Sequence, residues 1–124
     1  MKKHINTFDL VQDEEKYVCC LIKYGNNDIS IYCQDDGCWE SYVDATITPG
    51  GNDAILRQLY PADAGYVFID MDAGILDTLV YMEVVHAPLQ YIPIGQGYKK
   101  VAVCEVNLDK LNEWDASPVL FAEA

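Results

Sequence analysis

The sequence predicts an α+β domain: a mostly antiparallel sheet, begun by an N-terminal hairpin and meander, with one or two short helices packed on it. Three observations carry that expectation. Two β-rich runs, residues 16–24 and 29–34, flank Gly25-Asn26-Asn27-Asp28, a group that tolerates tight turns. A second turn signal, Asp35-Asp36-Gly37, precedes apolar–polar alternation over residues 38–48. Between Pro49-Gly50-Gly51 and Pro61, the side chains of Ile55, Leu56, Leu59 and Tyr60 fall on one helical face. With 124 residues, 51% of them hydrophobic, the chain can bury a core as one domain spanning 1–124.

Taken in order, Ile5, Phe8, Leu10 and Val11 support either a short edge strand or one turn of helix. In the hairpin, a two-residue loop at Asn26-Asn27 sets Tyr24 opposite Ile29, Ile22 opposite Ile31 and Cys20 opposite Cys33. One face then holds Val18, Cys20, Ile22, Tyr24, Ile29, Ile31 and Cys33, and the remaining chain must cover it. The third strand places Trp39, Ser41, Val43, Ala45 and Ile47 on one side, with Glu40, Tyr42, Asp44 and Thr46 on the other. Asn52 suits a helix N-cap and Asp53 the positive first turn that follows.

The second half is less regular. Residues 66–72, YVFIDMD, look like a buried strand. Over residues 75–86, strand alternation and a helical set (Leu76, Leu79, Val80, Glu83) both fit, and the Val and Tyr content favours a strand. Pro88 and Pro93 bracket a short extended piece, and residues 98–107 form the last strong strand. Residues 108–114 can close the chain as a helical turn, with Pro118 confining helix to the residues before it.

Charge is the most informative global property. Twenty Asp and Glu oppose eight Lys and Arg, a net charge of −12, and Arg57 is the one arginine. Proteins that hold nucleic acid supply Lys and Arg for counterion release and bidentate phosphate contacts, so direct nucleic-acid binding is not expected. An anionic membrane surface is equally unfavourable. A basic protein partner, by contrast, would be steered in from a distance. No run approaches the roughly eighteen apolar residues of a membrane span, and the first residues lack a secretory signal's apolar stretch. Five cysteines, an odd number, fit a reducing compartment, so the expected location is the cytoplasm.

Candidate chemistry is sparse. Cys33 and Cys38 stand close in sequence, but Cys19 and Cys20, adjacent on a strand, point to opposite faces and cannot share an ion. Buried free thiols are the expected state of the cysteines, and a Cys20–Cys33 bridge, although compatible with the register, is disfavoured by compartment. The two histidines are His4 and His86, and no Ser or Cys sits in a nucleophile-like context. No catalytic residue, metal or cofactor is assigned.

One short motif invites comparison. Residues 67–72, VFIDMD, followed by AGILDT, present two aspartates one residue apart at the end of an apolar strand. This resembles the first motif of haloacid dehalogenase-like phosphatases, in which such a strand end offers two carboxylates to Mg²⁺ and one acts as nucleophile. The resemblance covers about a dozen residues, and Ala73-Gly74 stands where that motif carries Gly-Thr. It implies a small metal-dependent hydrolase using Asp70 and Asp72, with His86 as a further candidate.

The leading expectation is a non-catalytic binding protein that inhibits a basic partner, a nuclease or nucleoprotein complex, by steric and electrostatic occlusion. Two settings suit it: an immunity protein neutralising a nuclease toxin, and a phage-encoded inhibitor of a host defence complex. Its expected docking patch is Asp35, Asp36, Glu40, Tyr42 and Asp44, with Glu40, Tyr42 and Asp44 about 7 Å apart on one strand face. A third expectation is a structural or assembly subunit that self-associates through an open sheet edge at residues 98–107.

Overall fold

The computed structural model describes residues 5–25 and 27–121. Its strands divide between two antiparallel sheets, accompanied by four short α-helices, which makes the fold α+β. His4, and Asn26 of the expected hairpin loop, lie outside the described residues. Among the described residues no helix is long and apolar enough to cross a membrane.

The first sheet is a meander in the order β1 (Phe8–Gln12), β2 (Glu15–Tyr24), β3 (Asp28–Asp35), β4 (Cys38–Asp44). The N-terminal segment therefore resolves as an edge strand. The β2–β3 register differs by one residue from the expected one: Tyr24 faces Asp28, Lys23 faces Ile29 and Cys19, not Cys20, faces Cys33. Gly25, with φ of +52°, joins the loop and lengthens it. A one-residue slip exchanges faces, so Cys19, Leu21, Ile29, Ile31 and Cys33 point into the main core. Cys20 and Ile22, expected inside, face outward and are covered by Ala116 and Leu120. Both faces of β2 are thus buried, and for that reason its alternation could not mark the inside.

β1 pairs only with the first half of β2. Beyond it the vacant edge is taken by residues from the C-terminal region. The Ala116 amide donates to the Leu21 carbonyl at 2.8 Å, and the Lys23 amide donates to Asp115 Oδ1 at 2.9 Å. Asp115 also accepts from the Ser117 amide and hydroxyl. It ties α3 (Leu108–Trp114) and α4 (Ser117–Leu120) to the sheet. Pro118 sits in the first turn of α4, so it begins a helix where the sequence reading had it exclude one.

The second sheet has the order β5–β7–β6, from β5 (Tyr66–Asp70), β6 (Gln90–Ile94) and β7 (Lys99–Glu105). Its inner face gives Val67, Ile69, Ala102 and Cys104 to the main core. Its outer face, with Phe68, Val101 and Val103, is covered by Leu56 and Tyr60. β7 is the central strand, flanked on both sides, so the expected open edge at residues 98–107 does not exist. Pro93 lies instead on the edge strand β6, where a missing N–H is tolerated.

Residues 45–47 join the two sheets. Ala45 donates to the Ile29 carbonyl while its own carbonyl accepts from Asp70, and Ile47 donates to Phe68. The third strand therefore ends at Asp44 and its continuation bridges to β5 through Thr46 and Ile69.

Two helices correct the sequence reading. Helix α1 (Ile55–Leu59) is only five residues, and Ala54, not Asn52, is its N-cap, without a side-chain bond. Of the expected face, Leu56 and Tyr60 pack, whereas Ile55 and Leu59 stay exposed. Asp53 instead accepts from the Gly95 amide at 2.8 Å, fixing this region to the end of β6. Residues 75–86 are not a strand: Leu76–Tyr81 forms α2, with Leu76 and Leu79 buried. The Val84 amide donates to the Leu79 carbonyl and the Glu83 amide to Val80, with Glu83 at φ +63°. That is a Schellman closure with glutamate where glycine is usual, so the stop carried no sequence mark.

Four of the five cysteines, Cys19, Cys20, Cys33 and Cys104, are buried free thiols, and Cys38 is exposed. Cys19 and Cys33 sulfurs lie 2.8 Å apart across the β2–β3 pair. Burial pushes the Cys20 and Cys104 thiols up to about 11 and drives Cys19 higher still. Native protein at pH 8 should therefore show one fast-reacting thiol, Cys38, in a colorimetric thiol titration. The buried four should react only on unfolding, and two or more fast thiols would contradict this packing.

Candidate functional site

Two tight turns stand at one end of the four-stranded sheet. Gln12 pairs with Glu15, leaving Asp13 and Glu14 as a two-residue loop with φ of +52° and +66°. Asp35 pairs with Cys38, leaving Asp36 and Gly37 with φ of +50° and +81°. Both have the left-handed pattern that matches the twist of a hairpin. Because the strands alternate in direction, both loops project from the same end of the sheet.

The sequence explains one turn and not the other. Asp-Gly at 36–37 is well suited, since glycine adopts positive φ without penalty. Asp13-Glu14 is not, because a glutamate side chain in this conformation costs about 1 kcal/mol. Replacing Asp13-Glu14 by Asn-Gly should stabilise the fold by about 1 kcal/mol, read as a higher urea midpoint at unchanged slope. An unchanged or lower midpoint would mean that these acids make compensating contacts.

Six exposed carboxylates gather at this end: Asp13, Glu14, Glu15, Asp35, Asp36 and Glu40. The nearest base in sequence, Lys16, turns to Asp9 at 3.3 Å. No Lys or Arg occurs between Lys23 and Arg57. Arg57 serves the fold, donating to the Tyr66 carbonyl at 2.9 Å and lying 5.0 Å above the Phe68 ring.

The ladder between β2 and β3 stops at Cys19 and Cys33. Beyond that pair β2 continues only with β1, and β3 only with β4, which opens a hollow of about 260 Å³ lined by Tyr17, Asp35, Glu40 and Tyr42. Tyr17 and Tyr42 stack across it with ring centroids 5.8 Å apart. The Tyr17 hydroxyl donates to Glu15 at 2.7 Å and the Tyr42 hydroxyl to Gln12. The acceptor bond from Glu15 and its negative charge raise the Tyr17 phenol above its ordinary value, while burial raises Tyr42. Two neutral, rigid aromatic rings therefore stand among the carboxylates.

The expected patch is only partly assembled. Ile31 faces Val43 and Tyr32 faces Ser41, so Tyr42 is an extra residue, a β-bulge in β4. The bulge breaks the alternation, leaving Glu40 on the Cys33 face and carrying Asp44 to the Ser30 face. There Asp44 accepts from the Ser30 hydroxyl at 3.0 Å and lines a second hollow, about 320 Å³, with Tyr24, Tyr32 and Phe121. Asp35, Asp36, Glu40 and Tyr42 thus share one end of the sheet, and Asp44 lies on the other face. Asp13, Glu14, Glu15 and Tyr17 were missed as members. Their available signal was the two-residue acidic break between two alternating runs.

The hydrolase candidates are arranged differently. Asp70 is buried at the end of β5, where Oδ1 accepts from the Asp72 amide at 3.0 Å. Lys99 Nζ reaches Asp70 at 2.9 Å and Asp72 at 3.7 Å, so its ammonium already serves both carboxylates. Among the described residues no three His, Cys, Asp or Glu side chains form a group that could hold a metal ion. His86 lines a separate hollow of about 260 Å³ with Glu83 and Asn107, and no Ser or Cys lines it.

The hydrogen bond that Lys99 donates to Asp70, then the charge of that carboxylate, raises Lys99 above the ordinary 10.5. A base raised on folding stabilises fully below its unfolded value and loses that contribution as pH climbs through the folded value. The difference in urea midpoint between wild type and Lys99→Met should hold from pH 7 to about 10 and close above it. A difference that grows with alkalinity would contradict the pairing.

Comparison of the chain with protein-family models, with curated proteins and with solved structures finds no match.

Proposed function

We propose that this chain is a non-catalytic binding protein that captures a basic, nucleic-acid-binding protein on the acidic end of its four-stranded sheet and occludes it. One observation carries the proposal: six carboxylates gather from two turns and the strand ends beside them, and the lysine nearest in sequence is turned elsewhere. Fixed like charges repel and lower stability, so their gathering requires a return. The Asp13-Glu14 loop adds to that burden, because its backbone would be better served by Asn-Gly.

The mechanism has two parts. The negative end draws a positive surface in and aligns it before contact. The Tyr17–Tyr42 pair then supplies area that is buried at small entropic cost, since each ring has few rotatable bonds. A partner whose nucleic-acid groove is held this way cannot hold its phosphates. An immunity protein against a nuclease toxin, or a phage inhibitor of a host defence complex, would work by this chemistry.

The test is capture from lysate of the source cells with wild type and with a variant carrying Asp13→Asn, Glu14→Gln, Asp35→Asn, Asp36→Asn and Glu40→Gln. Wild type should enrich a basic nucleic-acid-binding protein that the variant loses, and adding the purified wild-type chain should inhibit that protein's nucleic-acid binding. Identical recoveries with both baits, or an acidic captured protein, would remove the proposal.

A further inference from the structure

Resting on that reading, we infer that the partner docks as an extended basic segment that adds a fifth strand to the open edge of β4. Among the described residues, β4 pairs on one side with β3 and with no strand on the other. Its outward backbone groups are therefore available to a fifth strand, and five of its seven residues are exposed. Side chains of an added strand would alternate between the two faces of the sheet.

Each face has a place for them. On the inner face lies the Tyr17–Tyr42 hollow with Asp35 and Glu40. On the outer face lies the hollow of Tyr24, Tyr32 and Phe121 with Asp44, where Tyr32 and Phe121 meet edge to face at 5.9 Å. A carboxylate beside aromatic rings suits a lysine or arginine, whose charge meets the acid while its stem or guanidinium lies on the ring. The bulge at Tyr42 creates this arrangement by sending Glu40 and Asp44 to opposite faces.

Charge also selects the occupant. A second copy would bring an equally acidic edge, with Glu40 on one face and Asp44 on the other, onto a chain of net charge −12, a repulsion that disfavours self-addition. A basic strand would be attracted at the same positions. The acids thus reject a like edge and admit an opposite one.

The test uses three probes on the full chain: an acetylated, amidated peptide repeating Lys-Lys-Val-Val, which offers lysines to both faces, and two forms of it N-methylated on one or the other alternate set of backbone nitrogens. The unmethylated peptide should bind and slow amide hydrogen exchange within residues 38–44. Methylation of the set facing β4 should weaken binding about tenfold or more, the equivalent of one or two lost hydrogen bonds, while methylation of the other set spares it. Equal binding by all three, without protection of residues 38–44, overturns strand addition but leaves the acidic-end reading standing. No binding by any of them, at low salt, overturns both. Sedimentation showing a dimer that is lost in the Glu40→Lys variant would instead make a second copy the occupant.

Discussion

Neutralising the acidic end, with Asp13, Asp35 and Asp36 changed to Asn and Glu14 and Glu40 changed to Gln, is expected to slow association with the proposed basic partner about 10- to 100-fold at low ionic strength. The carboxylates stand on turns and on an exposed strand face, where charge acts mainly on the encounter. Dissociation should change less, and the steep dependence of the association rate on salt should flatten. Tyr42→Ala should show the reverse pattern, faster dissociation with little effect on encounter, because its ring contributes area and not charge. Stopped-flow association measured over a salt series separates the two. Removing repelling charges should also leave the fold intact or slightly more stable. A neutralised variant with the wild-type association rate and salt slope would show that the docking surface lies elsewhere.

Phe68→Ala is expected to destabilise the protein by about 3–5 kcal/mol, a large share of the 5–15 kcal/mol typical of a domain. Phe68 is wholly buried on the outer face of the second sheet, and four residues surround its ring. Tyr60 meets it edge-on at 6.2 Å, Arg57 lies over its face, and Val101 and Val103 pack beside it. Truncation leaves a cavity and also strands a guanidinium above it. Urea unfolding measures the loss, and Arg57→Met, which spares the ring, should cost distinctly less. A loss for Phe68→Ala within about 0.5 kcal/mol, the range of a surface change, would show that α1 does not cover this face.

What the sequence disclosed depended on whether each feature left a chemical mark. The Asp36-Gly37 turn was legible because its residues are those that positive φ favours. Buried β5 and the late β7 were legible because apolar runs of that length have few other uses. The β2–β3 register was not, since Cys19 to Ile22 are apolar on both faces and the polar residues of β2 stand only toward its ends. Helix α2 was hidden by its β-favouring Val and Tyr and by the absence of glycine at position 83. Leu76 and Leu79 packing into the core outweighed that propensity.

The candidate site was half legible for related reasons. Asp35, Asp36 and Glu40 announce themselves beside a recognisable turn. Asp13 and Glu14 do not read as a turn at all, because glutamate is a poor choice for one. A β-bulge has no composition of its own, so the separation of Asp44 from Glu40 could only be seen in the paired strands. The acids at the Lys99 contact illustrate the converse: a suggestive pair in sequence whose nearest counter-ion comes from the start of β7, 27 residues beyond Asp72.

The short crossing at residues 45–47 has a mechanical consequence. The free edge strand runs directly into a segment whose backbone is shared by both ladders, through Ile29 on one side and Phe68 and Asp70 on the other. Tension applied to that edge by a docked segment is therefore borne by seven strands and not by four. An edge open to contact is thus anchored at its root in the segment whose hydrogen bonds both sheets share.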